Sequence, residues 1–303
     1  MGLDDSYLEY PLRRYGMDHN RYDWSLMAKR PPLMWPDKCK LAFWINISIQ
    51  SFPLNPESSQ PRPPGGMTMP YPDLRHFTLR DYGNRVGIYR ILDALAVRGL
   101  PASCAVNAQI TDIPYLISAL SAARVEFIGH GLNMDTPHHS LTEPQEADII
   151  RQSMDLLREA SGQEIRGWIS PGRFESPVTP DLLSEAGIHY FADWVNDDMP
   201  YVFNTRHEPL VAMPLHTELE DRFVMLDNFH SEISYGEQLK DAFDWMYKDA
   251  SEDDGRIFSL SLHPWVIGQP HRIGILEDFF DYVCEHDSVW VAKPSEIVDI
   301  FKQ

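Results

Sequence analysis

The chain has 303 residues, of which 43% are hydrophobic and 23% charged, and its formal net charge at pH 7 is −19. Such a chain is long enough for one large α/β domain or two small ones. The negative charge argues against binding to nucleic acid or to anionic membrane surfaces, because phosphate groups require basic patches on a protein. We therefore expect its partners to be small molecules or further copies of itself.

The amino-terminal residues and the cysteines indicate the cellular compartment. No run approaches the roughly 18 apolar residues that a membrane span needs, and residues 1–6 lack the basic and apolar regions of a signal peptide. The three cysteines, Cys39, Cys104 and Cys284, form neither a metal-ligand spacing nor a disulfide framework. These features predict a cytoplasmic protein.

Residues 1–38 form a predicted arm, because they hold prolines and aromatic residues without a helical or strand period, and we expect residues 39–303 to form a single domain. An arm without its own core must bury surface elsewhere to offset the entropy of ordering it, so we expect a homodimer or homotetramer. The Pro- and Gly-rich segment from Asn55 to Leu79 is typical of a lid, a binding loop or a subunit contact.

The rest of the chain alternates predicted strands and helices. The run Leu41–Ile49 indicates a strand buried on both faces, and a helix from Arg80 to Gly99 carries Arg85 near its amino end. The further predicted elements are strand 102–107, helix 113–123, strand 125–128, helix 143–161, strand 165–169, helix 179–186, strand 189–193, a hairpin-like region 209–226, helix 235–250, strand 256–262, helix 273–285, strand 289–292 and helix 295–301. About seven strand–helix units favour a parallel barrel over an open doubly wound sheet.

Polar side chains follow several of these predicted strands. Gln50 follows the first strand, His130 a later one and His263 the late strand, while Asp197 and Asp198 belong to an acidic loop after another. The carboxyl ends of parallel strands share one edge of the sheet, where ligands bind. We therefore predict that His130, His263 and at least one of the two aspartates point into a common cavity.

Five segments, in order along the chain, resemble motifs of the polysaccharide deacetylase-like (NodB-homology) proteins. They most resemble the branch that includes the purine-degrading allantoinases and related deacetylases. The segments are Asp81-Tyr-Gly-Asn-Arg-Val-Gly87, Gly129-His-Gly131, Arg166-Gly-Trp-Ile-Ser-Pro171, Asp193-Trp-Val-Asn-Asp-Asp198 and Leu262-His-Pro-Trp-Val-Ile-Gly-Gln-Pro-His-Arg272. The resemblance covers nearly the whole chain from about Trp35 onward, and it implies an irregular (β/α) barrel.

The sequence departs from the metal ligands that this resemblance implies. Metal-dependent members carry an Asp-Asp pair after strand one and the pattern H-[ST]-x-x-H, whereas Ser48, Gln50 and Ser51 stand here after the first strand and Met134 follows His130 by four positions. A lone His and a thioether do not supply the three oxygen or nitrogen ligands that a divalent ion requires. The allantoinase-like branch is known to depart from the metal triad in this way. We predict no tightly bound catalytic metal; a divalent ion such as zinc, with His130 among its ligands, is the alternative.

The resemblance implies that His263 is a general acid. We predict that His130 orients water or stabilises an oxyanion, and that Asp197 or Asp198 acts as a base or sets the tautomer of a histidine. Gln50 is suited to hydrogen-bond the substrate, because its amide both donates and accepts.

The remaining candidates would bind the substrate. Trp168, Trp194 and Trp265 could wall a pocket for a small planar or ring molecule. Arg85 and Glu218 are further candidates for substrate binding, and Asp221 is a polar candidate in the same stretch of sequence as Glu218.

These features predict a hydrolase of non-peptide carbon–nitrogen bonds in a small molecule that carries an amide, a cyclic amide or imide, or an N-acetyl group. The alternative is a degenerate barrel that binds a ligand or partner without turning it over, because Gln50 and Met134 stand where the family's metal chemistry is usually found.

Overall fold

The computed structural model describes residues 19–56 and 72–303. The strands are β1 Leu41–Ile49, β2 Ser103–Val106, β3 Glu126–Gly129, β4 Gly167–Trp168, β5 Tyr190–Phe191, β6 Tyr201–Phe203, β7 Leu210–Ala212, β8 Arg256–Leu262 and β9 Val289–Val291. The α-helices are α1 Leu74–Tyr82, α2 Ile88–Arg98, α3 Pro114–Ala122, α4 Glu143–Ser161, α5 Thr179–Glu185, α6 Glu232–Asp249, α7 Ile273–Cys284 and α8 Pro294–Phe301. Residues 1–18 of the predicted arm and residues 57–71 of the Pro- and Gly-rich segment lie outside the described residues.

All nine residues of β1 are buried, and this strand has paired neighbours on both of its sides. It pairs in parallel with β8 on one side, with β2 along its second half on the other, and with β9 along Leu41–Phe43. The sheet runs in the order β6-β7-β5-β4-β3-β2-β1-β8, and every pairing is parallel except that of β6 with β7. This curled half-barrel of mostly parallel strands confirms the predicted irregular (β/α) fold.

The antiparallel pair corrects one detail of the sequence analysis. The hairpin comprises β6 and β7, from Tyr201 to Ala212, and so lies earlier than the predicted region 209–226. Most of that region is instead a loop after β7 followed by a helical turn at Phe223–Asp227. Because β7 pairs in parallel with β5, this loop starts at the carboxyl edge of the sheet.

A helical segment that contains α1, a π-helical turn at Gly83–Gly87 and α2 packs directly on the loop after β8. A Cβ atom at Gly87 would lie 2.0 Å from the carbonyl oxygen of Pro264, and one at Gly83 would lie 2.6 Å from the backbone nitrogen of Trp265. Only glycine permits so close an approach. The contact places the end of α1 beside the loop that begins at His263.

The described part of the arm, residues 19–38, lies on the chain's own barrel. Arg21 forms an ion pair with the buried Asp181 at 2.8 Å, and the buried Trp35 indole donates to a carbonyl of β8 at 3.0 Å. Trp24 and Met34 are nevertheless 52% and 61% exposed. The homodimer or homotetramer stays a prediction.

Within the described ranges no helix is long and apolar enough to cross a membrane.

Candidate active site

A cavity of about 440 Å³ lies at the carboxyl edge of the parallel strands. Its walls come from the loops that follow β1, β3, β4, β7 and β8, and from the end of α1. This volume is in the range of small-molecule sites. The charged and titratable residues that line it are Arg80, His130, His139, Arg173, Glu220, Arg222 and His263.

His263 is held by a completely buried carboxylate. Its Nδ1 lies 2.8 Å from Oδ1 of Asp221, and its backbone N–H donates to Oδ2 at 2.8 Å. An ionised carboxylate only accepts hydrogen bonds, so Nδ1 carries the proton and Nε2 is the nitrogen that can exchange one. The Asp221–His263 pair therefore has a defined tautomer, as in a catalytic dyad.

A second buried carboxylate, Glu220, lies close to the same imidazole. One of its oxygens is 3.9 Å from Nε2 of His263 and accepts from Nε of Arg222 at 3.1 Å, while the other is 3.9 Å from Arg173. Burial alone would raise the pKa of Glu220, but its electrostatic interactions with His263, Arg173 and Arg222 outweigh burial and lower it. Glu220 is therefore ionised at neutral pH and stabilises a protonated His263.

His130 lines the cavity as a neutral imidazole. Its Nδ1 lies 2.7 Å from the carbonyl oxygen of Ile169, so Nδ1 carries the proton. Burial is the main cause that lowers the pKa of His130 to about 4. Its buried Nε2 has no hydrogen-bond partner among the described residues. This nitrogen can only accept, which favours the predicted role of orienting water, or of binding a substrate N–H, over the predicted oxyanion role.

Gln50 and Trp265 form a polar pair in the cavity wall. The indole Nε1 of Trp265 donates to the side-chain oxygen of Gln50 at 3.2 Å. An indole N–H only donates, so the amide oxygen of Gln50 must face Trp265. The amide NH₂ of Gln50 can then donate to a substrate carbonyl.

The prediction that Asp197 or Asp198 faces the cavity is wrong, since neither lines it. Both oxygens of Asp197 accept hydrogen bonds from Arg30 of the arm, at 2.9 and 2.6 Å. Asp198 accepts from His216 at 3.0 Å, and this hydrogen bond is the main cause that lowers its pKa. The arm and the neighbouring loop thus bind these carboxylates away from the two histidines.

Four of the predicted substrate-binding residues also do not line the cavity. Trp168 is completely buried, and a Cβ atom at Gly129 would lie 2.4 Å from its ring, so it is a packing residue beneath the loop that carries His130. Trp194 packs edge-on against aromatic rings of the arm. Arg85 and Glu218 are exposed to solvent.

The cationic part of the site and its acid were not predicted from the sequence. Arg80, Arg173, Glu220 and Arg222 line the cavity but were not predicted as site residues, and Asp221 was predicted only as a further polar candidate. The available signal was the position of residues 215–222 directly after a strand. Assigning this stretch to a hairpin concealed that signal.

A third carboxylate, the partly buried one of Asp193, holds the loop that carries Arg173. The backbone N–H and the hydroxyl of Ser170 donate to the two oxygens of Asp193, both at 2.7 Å. Burial raises the pKa of Asp193. Burial, together with the adjacent charge of Asp193, raises the pKa of Glu175 well above its ordinary value. A proton on Glu175 allows the two carboxyl groups to lie together. Asp193 therefore positions the loop without lining the cavity.

The cavity residues do not fit the ligand set of the metal-dependent deacetylases. The described ranges contain no group of three or more His, Cys, Asp or Glu side chains that could hold a metal ion. Gln50 and Met134 line the cavity where the resemblance implies metal ligands, and His130 supplies one imidazole nitrogen. A divalent catalytic ion requires at least three protein ligands.

No protein-family model matches the chain. A peptidoglycan deacetylase of Helicobacter pylori is 24% identical in sequence, over 73% of this chain and 85% of the relative. The solved structure of Puue allantoinase superposes with a TM-score of 0.80 at 26% identity, over 92% of this chain and 97% of the other. A structure described as a "probable Polysaccharide deacetylase" of Pseudomonas aeruginosa superposes with a TM-score of 0.78 at 26% identity, over 92% and 98% of the two chains. The chain is therefore similar in sequence and in fold to polysaccharide deacetylases and to an allantoinase, which confirms the resemblance that its five motif segments predicted.

Proposed function

We propose that the protein is a hydrolase of a non-peptide carbon–nitrogen bond in a small molecule that carries an amide, a cyclic amide or imide, or an N-acetyl group. The observation that carries the proposal is the Asp221–His263 pair at a cavity of about 440 Å³. The relatives agree with this reaction class, since a deacetylase and an allantoinase both hydrolyse such bonds.

His263 supplies the proton transfers that the reaction needs. Nε2 takes a proton from a water molecule as the water oxygen bonds to the substrate carbonyl carbon. The imidazolium is stabilised by Asp221 at Nδ1 and by Glu220 near Nε2. When the carbon–nitrogen bond breaks, Nε2 returns the proton to the leaving nitrogen. This last step is the general-acid role that the resemblance implies for His263.

Gln50 and His130 are suited to orient the substrate or the water. The NH₂ group of Gln50 donates to the carbonyl oxygen, where negative charge develops in the transition state. Nε2 of His130 accepts from a substrate N–H or from the attacking water, because its other ring nitrogen is occupied by the Ile169 carbonyl. The two side chains thus recognise opposite polarities of an amide.

Hydrolysis assays with the purified protein test this proposal. The substrate panel comprises allantoin, hydantoin, a cyclic imide, an N-acetylated amino sugar and simple aliphatic amides, with the His263→Ala variant as the control. We expect at least one compound to be hydrolysed by the wild type and the variant to be slower by about a hundredfold. A folded protein that binds one of these compounds and hydrolyses none of them would support the degenerate, ligand-binding alternative.

A further inference from the structure

The described residues of the cavity wall include more positively than negatively charged side chains. Arg80, Arg173 and Arg222 line it, and Glu220 is the acid among the described residues of its wall. Glu220 binds Arg222 most closely, and Arg222 is also 3.4 Å from Asp227. The whole chain has a net charge of −19, so the charge of these cavity residues is opposite in sign to that of the whole protein.

The charge of Arg222 acts on the other two guanidinium groups. Burial, followed by the nearby charge of Arg222, lowers the pKa of Arg80 to about 10, and the same two causes lower the pKa of Arg173. The acids that oppose these shifts are Asp73 near Arg80, and Glu220 and Asp193 near Arg173. Of these only Glu220 lines the cavity, and burial raises the pKa of Asp193. Like charges in a partly desolvated cavity are stabilised by a bound anion.

Two of the arginines are held in fixed orientations. The guanidinium carbon of Arg80 lies 4.0 Å from the centroid of the Phe52 ring, and Arg173 donates a hydrogen bond to the hydroxyl of Thr217. A planar guanidinium group that is already ordered loses little entropy when it binds a carboxylate through parallel hydrogen bonds. Each of these two guanidinium groups is therefore ordered before a planar anion binds.

We propose that this site takes an anionic substrate, namely a small amide that also carries a carboxylate, with the carboxylate bound by Arg80 and Arg173. The inference rests on the proposed function, because it places the scissile amide of the same molecule at His263. Compounds of this class are monoamides of dicarboxylic acids and N-acyl amino acids.

Calorimetric titration with a matched pair of probes tests the inference. Succinamate and succinamide differ only in that one carboxylate is replaced by a carboxamide. We expect the wild type to bind succinamate at least about tenfold more tightly, the usual contribution of a hydrogen-bonded charge. Arg80→Gln should reduce this preference to about threefold or less, whereas Arg85→Gln, a surface change near the end of α1, should preserve it.

The possible outcomes separate this inference from the proposed function. Ammonia release is measured in the same samples, so selective binding of succinamate without ammonia would retain the inference and count against hydrolysis of the simple amide. Equal affinity for the two probes, binding of neither, or tighter binding of inorganic phosphate than of succinamate would overturn the inference, even if neutral amides are hydrolysed. The wild-type comparison decides the matter if Arg80→Gln fails to fold.

Discussion

Replacing Asp221 with Asn is the sharpest test of the proposed dyad. Oδ1 of Asp221 accepts from Nδ1 of His263 and from the backbone N–H of Arg222, and Oδ2 accepts from the backbone N–H of His263, each at 2.8 Å. Asn keeps the shape of the side chain but turns one acceptor into a donor. If the NH₂ group takes the place of Oδ1, His263 keeps a hydrogen bond at Nδ1 only by moving its proton to Nε2, which removes the lone pair that activates water. If the NH₂ group takes the place of Oδ2, it faces the backbone N–H of His263, and the imidazole must shift from its position.

The magnitude follows from these contacts. Loss of a positioned proton acceptor should lower kcat/KM by about 10²- to 10⁴-fold. The substituted amide would still satisfy part of the buried network, so the free energy of unfolding should fall by only about 1–3 kcal/mol. The enzyme should therefore lose activity while it stays folded.

The assay measures kcat/KM of the wild type and of Asp221→Asn with the best substrate of the panel, together with urea unfolding. Asp198→Asn is the matched control, since Asp198 is a half-exposed carboxylate that also binds a histidine but lies outside the cavity. We expect the control to stay within about threefold of the wild type. Nitrogen-15 NMR shifts of His263 report its tautomer independently of any substrate. A folded Asp221→Asn protein with wild-type activity, or an inactive Asp198→Asn protein, would refute the reasoning.

Two further predictions concern stability. The free energy of unfolding should fall as the pH drops from about 6.5 to about 4. The unfolded chain protonates His130 at its ordinary pKa of 6.5, whereas the buried ring has a pKa of about 4. This pKa difference corresponds to a loss of about 3 kcal/mol in the free energy of unfolding. Urea unfolding at about pH 7 and about pH 4.5 should show a smaller loss for His130→Gln than for the wild type, and equal losses would contradict the assignment. Gly87→Ala should lower the free energy of unfolding by about 1–3 kcal/mol, because the added methyl group meets the Pro264 carbonyl. Gly274→Ala, whose added methyl group meets nothing within 4 Å, should raise the free energy of unfolding by up to about 1 kcal/mol. Similar effects of the two changes would argue against the close packing of Gly87 on the loop after β8.

The fold could be predicted because its determinants are local. The nine buried residues of β1 form a continuous β-prone run, and helix-period segments separate most of the other strands. Position after a strand likewise predicted that Gln50, His130 and His263 would meet, because parallel strands end at one edge of the sheet. Each of these inferences uses only residues that are neighbours in the sequence.

The partners of these residues depended on tertiary structure. Asp221 and His263 are 42 positions apart, and Arg30 and Asp197 are 167 apart, so no local pattern shows that one aspartate holds the histidine while the other binds the arm. The same is true of the arginines, which enter the cavity from separate elements. Contacts between distant segments are set by how loops cross the carboxyl edge, and a loop's path depends on packing that hydrophobic periodicity does not encode.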